Sequence, residues 1–100
     1  ETTLEQKAEI AAFNRQAQEK QSEISAVTKD QERMRDNLRA LGKTEEEKLL
    51  VQRYVAKLAQ GEDQLERLRQ EERQIAEKRN TLQRQVEERL KKLAFEQRLK

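Results

Sequence analysis

The tetrapeptide Leu41-Gly42-Lys43-Thr44 constrains this chain more than any other feature, because it separates two sustained heptad patterns and turns one long polar sequence into two helices. Setting a at Ile10 places Ile10, Ala17, Ile24, Gln31 and Leu38 at a, and Phe13, Lys20, Val27, Met34 and Leu41 at d, eight of the ten apolar. Beyond the break, with a at Val51, the stripe runs through Val51, Tyr54, Leu58, Leu65, Leu68, Ile75, Leu82, Val86 and Leu93, interrupted by Gly61, Glu72, Arg79 and Arg89. Spacing of this kind predicts a coiled-coil seam on each side of the break.

The break carries its own punctuation. Gly42 suits the left-handed residue that ends a helix, and Thr44 with Glu47 matches the capping box that starts the next. Glu45, Glu46 and Glu47 then fall in the first turn of helix two, and Arg35 and Arg39 in the last turns of helix one, as the helix dipoles prefer. The expectation is an all-α fold, an antiparallel two-helix coiled-coil hairpin, with helix one over about 3–41, a tip at about 42–45 and helix two over about 45–98.

Antiparallel pairing leaves two registers, in which opposed residue numbers total about 85 or about 92. The larger sets Leu41 against Val51, Leu38 against Tyr54, Met34 against Leu58, Val27 against Leu65, Ile24 against Leu68, Ala17 against Ile75 and Ile10 against Leu82. Its exceptions also match: Lys20 faces Glu72, Phe13 meets the Arg79 guanidinium and Gln31 meets the small Gly61. In the smaller register Lys20 would face Leu65, so the larger is expected. Helix one then ends beside Arg89, which leaves Leu90, Leu93, Phe95 and Leu99 as a tail for docking, and Gly42 through Leu50 as a projecting tip.

Composition narrows the function. Asp, Glu, Lys and Arg make up 42% of the chain, there is no Pro, Cys, His or Trp, and aromatics are 3%, which leaves only a thin seam to bury. The 22 basic and 20 acidic residues are interspersed, and the net charge of +2 speaks against a dedicated nucleic-acid arm. No apolar run approaches the ~20 residues that cross a bilayer. The chain begins with Glu1 instead of Met, so a processed protein or an excised part of a larger one is expected, with 1–100 forming a single coiled-coil hairpin.

No chemistry is expected. Neighbouring carboxylates such as Glu71 with Glu72 and Glu87 with Glu88 point about 100° apart on a helix and stay solvated. There is no metal-ligand spacing, no His to activate Ser22 or Ser25, and no cofactor is called for. Arg33, Arg35, Arg39 and Lys43 cluster toward the tip and Arg67, Arg69 and Arg73 at mid-stalk, but Glu32, Asp36, Glu66 and Glu71 stand among them. Phosphate binding by these clusters is the alternative function.

The run Asp30-Gln31-Glu32-Arg33-Met34-Arg35-Asp36-Asn37-Leu38-Arg39-Ala40-Leu41-Gly42, followed by Leu50-Val51-Gln52-Arg53-Tyr54-Val55-Ala56-Lys57-Leu58, resembles the helical hairpin of bacterial mucoidy-inhibitor-like proteins. In that family a β-sandwich domain of unknown function accompanies coiled-coil segments. The resemblance is clearest over roughly residues 30 to 70 and is ordinary heptad similarity elsewhere. It implies an excised bacterial stalk, from cytoplasm or cell envelope, with no catalytic residue. The expected role is a structural, non-enzymatic module that spaces, docks or dimerises domains, its partner another protein, either its own parent domain or a second copy.

Overall fold

A computed structural model describes residues 1–99; Lys100, the last residue of the expected hairpin, lies outside them. Two helices, α1 over Thr3–Ala40 and α2 over Glu45–Leu99, make an all-α helical hairpin with no strand among the described residues. The boundaries follow the sequence to within a residue: α1 stops one residue before Leu41, and α2 continues one residue past 98.

Each helix begins with a reciprocal cap. At α1 the Glu5 amide donates to the Thr2 hydroxyl at 3.1 Å while the Thr2 amide donates to the Glu5 carboxylate at 3.4 Å. At α2 the Glu47 amide donates to the Thr44 hydroxyl at 3.2 Å. The end of α1 departs from expectation, because no glycine takes a positive φ and Gly42 is therefore no left-handed cap. Two other bonds finish the helix there. The Leu41 amide closes a tight turn onto the Leu38 carbonyl at 3.2 Å, and the Gly42 amide donates to the Glu47 carboxylate.

Contacts gather into two units, Lys20–Gln70 and Glu1–Glu19 with Glu71–Lys100. In the unit that holds the tip, Leu65 and Leu68 are buried and Ile24, Val27, Met34, Leu38, Leu41, Val51, Tyr54 and Leu58 are half-buried. Its centre is a polar layer. Gln31, only 3% exposed, lies against buried Gly61 and donates from Nε2 to the Leu58 carbonyl at 3.4 Å and to Glu62 Oε1 at 3.3 Å. A Cβ on Gly61 would stand 2.8 Å from that Nε2, so the absent side chain is what admits the amide. Arg35 reaches the same Glu62 at 3.5 Å, and Asn37 Nδ2 donates to the Tyr54 hydroxyl at 3.4 Å. Gln31 opposite Gly61 is the register in which opposed numbers total about 92.

In the other unit Leu82 and Val86 are buried and Ile10, Phe13, Ala17 and Ile75 half-buried. Here the Arg79 guanidinium donates to Asn14 Oδ1 at 3.3 Å and to the Asn80 amide oxygen, and Arg89 donates to the Glu1 carbonyl at 2.6 Å. Amide and carbonyl oxygens thus engage the seam arginines, and Arg89 does sit beside the start of α1. Gln6 occupies the next d position below Phe13 and is 5% exposed, its Oε1 without a hydrogen-bond partner.

All sixteen expected seam residues are thus buried or half-buried. Leu68, at 2% exposure, is the most deeply placed of the buried leucines. Leu68→Ala should destabilise the hairpin by about 2 kcal/mol or more, read as a lower urea midpoint of the helical circular dichroism signal.

Candidate interaction surfaces at the tip and the tail

The tip is organised by one carboxylate. Glu47 accepts from the Gly42 amide and from the Thr44 hydroxyl at 2.7 Å, while its own amide uses that hydroxyl as acceptor. Three residues that sequence spacing marked as turn and cap, Gly42, Thr44 and Glu47, therefore form one hydrogen-bonded unit. The Gly42 amide, then the Thr44 hydroxyl, hold the Glu47 carboxyl below the ordinary glutamate value. Beyond this cap the tip exposes Lys43 and Glu46, together with Leu49, an apolar side chain 66% exposed that the seam pattern had not singled out.

The tail differs in kind. Leu90, Leu93, Phe95 and Leu99 are all exposed, Phe95 at 61% and Leu99 at 72%. At about 100° per residue, Leu90 and Leu93 share one side of α2, whereas Phe95 and Leu99 lie roughly 140° to 180° away from Leu90. The tail therefore presents two apolar strips and not one, so a partner that covered both would have to clasp the helix. A shallow groove of about 530 Å³ runs along the Leu93 side, lined by Gln85, Glu88, Arg89, Lys92, Leu93 and Glu96.

The arginines near the tip are occupied. Arg33 pairs with Asp30, Arg39 with Asp36 at 2.9 Å and Arg35 with Glu62 at 3.5 Å, while Lys48 meets Glu45 at 3.2 Å. Arg67 is engaged as well. Such ion pairs are exposed and individually weak, worth about 0 to 1 kcal/mol, but they place a carboxylate beside Arg33, Arg35, Arg39 and Lys48. Lys20 reaches Glu23 on its own helix at 3.8 Å.

Among the described residues no group of three His, Cys, Asp or Glu is placed to hold a metal ion, and no helix is long and apolar enough to cross a membrane. What sequence reading missed lies at the start of α1: the Thr2–Glu5 cap and buried Gln6. Both had a signal, since Thr2 and Glu5 have capping-box spacing and the heptad frame of Ile10 extends back to Thr3 and Gln6.

No family model, curated protein or solved structure matches this chain.

Two outcomes test the tip. Thr44→Ala should cost about 1 kcal/mol of stability, seen in the same urea titration. Because the Glu47 pKa is depressed on folding, its contribution is full above the unfolded glutamate value and is lost as pH falls through the lower folded value. A carbon-detected NMR titration should place the Glu47 midpoint below the ordinary glutamate range, and Gly42 backbone shifts should move with it.

Proposed function

We propose that the chain is a non-enzymatic structural and protein-interaction module, a helical stalk whose tail and tip are its contact surfaces. The observation that carries this is the placement of apolar surface. The seam is covered by the hairpin itself, while four large apolar residues at the end of α2 are left open to solvent. No convergent polar site, buried carboxylate pair or metal-ligand cluster competes with that reading among the described residues. The partner is a protein surface, either an adjoining domain of the same polypeptide or a second copy. On the resemblance over residues 30 to 70, the parent would be a bacterial protein that uses the hairpin as a spacer.

A nucleic-acid role is the second reading, on account of the arginines near the tip, and the ion pairs at Arg33, Arg35 and Arg39 weaken it.

Sedimentation over the micromolar to millimolar range tests the tail as a contact between copies. The chain should associate with rising concentration, and Leu90→Ser with Leu93→Ser and Phe95→Ser should abolish that association while leaving helicity unchanged. A chain that stays monomeric throughout would eliminate self-contact through the tail. On heparin the protein should elute without retention at low salt; strong, salt-dependent retention would favour the phosphate-binding reading instead.

A further inference from the structure

Helix α2 carries a second stripe, which the hairpin leaves open. From Leu49 to Gly61 only two of thirteen residues are charged, in a chain where 42% are. At about 100° per residue, Leu49, Gln52, Ala56 and Ala59 fall within about 60° of one another, and their mean direction lies roughly 140° from that of Val51, Tyr54 and Leu58 on the seam. Their spacing of three, four and three is that of the seam itself. All four are exposed, and Val55, 54% exposed, borders them on one edge.

Shape and charge define what fits this stripe. Ala56 and Ala59 let a second helix approach to about 8 Å between axes, and they leave hollows that large aliphatic side chains fill. Leu49 and Val55 supply apolar area to remove from water. On the edge away from Val55 stand Arg53 and, one turn on, Lys57, both exposed and without an ion pair among the described residues. The charges on the Val55 edge are already matched: Lys48 meets Glu45 at 3.2 Å, and Glu62 accepts from Gln31 and Arg35. Over the length of the stripe the unbalanced charge is therefore positive, with Glu46 and Asp63 standing beyond its two ends. Its complement is a row of carboxylates. A second copy lacks that complement in the same stripe, because it brings the same alanines and the same two cations.

We propose that this outward stripe of α2 docks an amphipathic helix of a partner protein, one with large aliphatic residues at three-four spacing and carboxylates along the edge that meets Arg53 and Lys57. The proposal rests on the reading of the chain as an interaction module and gives that module a contact face on the stalk beside the tip. From Leu49 to Ala59 the stripe spans about 15 Å at 1.5 Å per residue. That is short for a stable complex, so the contact is transient, with affinity on the order of micromolar.

The test uses the whole chain and two synthetic helical peptides of about three heptads. Each has Leu at three-four spacing; one is bordered by Glu and the other by Lys. Binding is followed by anisotropy of the labelled peptide and by amide shifts of the isotopically labelled hairpin. The glutamate peptide should bind more tightly than the lysine peptide and move the amides of residues 49–59. Leu49→Ser with Val55→Ser should weaken it roughly tenfold, and Arg53→Glu with Lys57→Glu should turn the preference toward the lysine peptide. All four substituted side chains are exposed, so helicity should hold; if the serine variant loses it, the charge reversal decides alone.

No binding of either peptide, affinity untouched by both pairs of substitutions, or an unchanged preference after charge reversal would overturn the proposal. So would shifts confined to Leu90–Leu99 that vanish in a Leu90→Ser, Leu93→Ser, Phe95→Ser protein; the tail is then the contact surface, and the interaction-module reading stands without this face. Self-association that persists in that tail variant and disappears in the Leu49→Ser, Val55→Ser protein would make a second copy the occupant, against the proposal.

Discussion

Burial of a stripe scarcely wider than one side chain on each helix is what the rest of this structure depends on. With 42% charged residues there is no other large apolar surface to remove from water, and the hydrophobic contribution has to come from the a and d positions. A stripe so narrow leaves little tolerance for misalignment. A residue that breaks the pattern must meet something that accommodates it, as Gln31 does at Gly61. Placing a glycine in the middle of α2 costs helix propensity of about 1 kcal/mol relative to alanine. In return, it makes room for an amide that bonds a backbone carbonyl of the opposite helix.

Much of this was readable because periodicity and capping are local properties of sequence. The sixteen seam residues, the two helix boundaries at the tip and the pairing of Gln31 with Gly61 all follow from spacing at a period of about 3.5 residues. The Thr44–Glu47 cap was legible for the same reason. Gly42 shows where local reading stops. Its identity suggested a left-handed cap, but the carboxylate of Glu47, five residues on, satisfies its amide without that conformation. A side-chain hydrogen bond made the expected backbone geometry unnecessary, and glycine here adapts to the cap instead of supplying it.

The contact surfaces were less legible. That Leu90, Leu93, Phe95 and Leu99 lie beyond the start of α1 follows from the register, and their exposure agrees. Nothing in hydrophobic spacing names what covers them, because a partner's surface is not encoded in the pattern of one strip. Gln6 raises a related difficulty. A polar residue at a d position reads as a weak layer, yet here it is 5% exposed with an unpaired amide oxygen. Whether a seam tolerates such a residue depends on the side chains around it, not on its own spacing.

Tyr54 accepts a hydrogen bond from Asn37 in the Lys20–Gln70 unit, and the chain has one tyrosine and no tryptophan. The intrinsic fluorescence of this protein therefore originates almost wholly in that unit, while its circular dichroism averages over both helices along their full lengths. The two signals divide the molecule between them. Their transitions coincide only if the Glu1–Glu19 with Glu71–Lys100 unit and the tip-bearing unit melt together, so cooperativity along this hairpin can be read optically without introducing any probe.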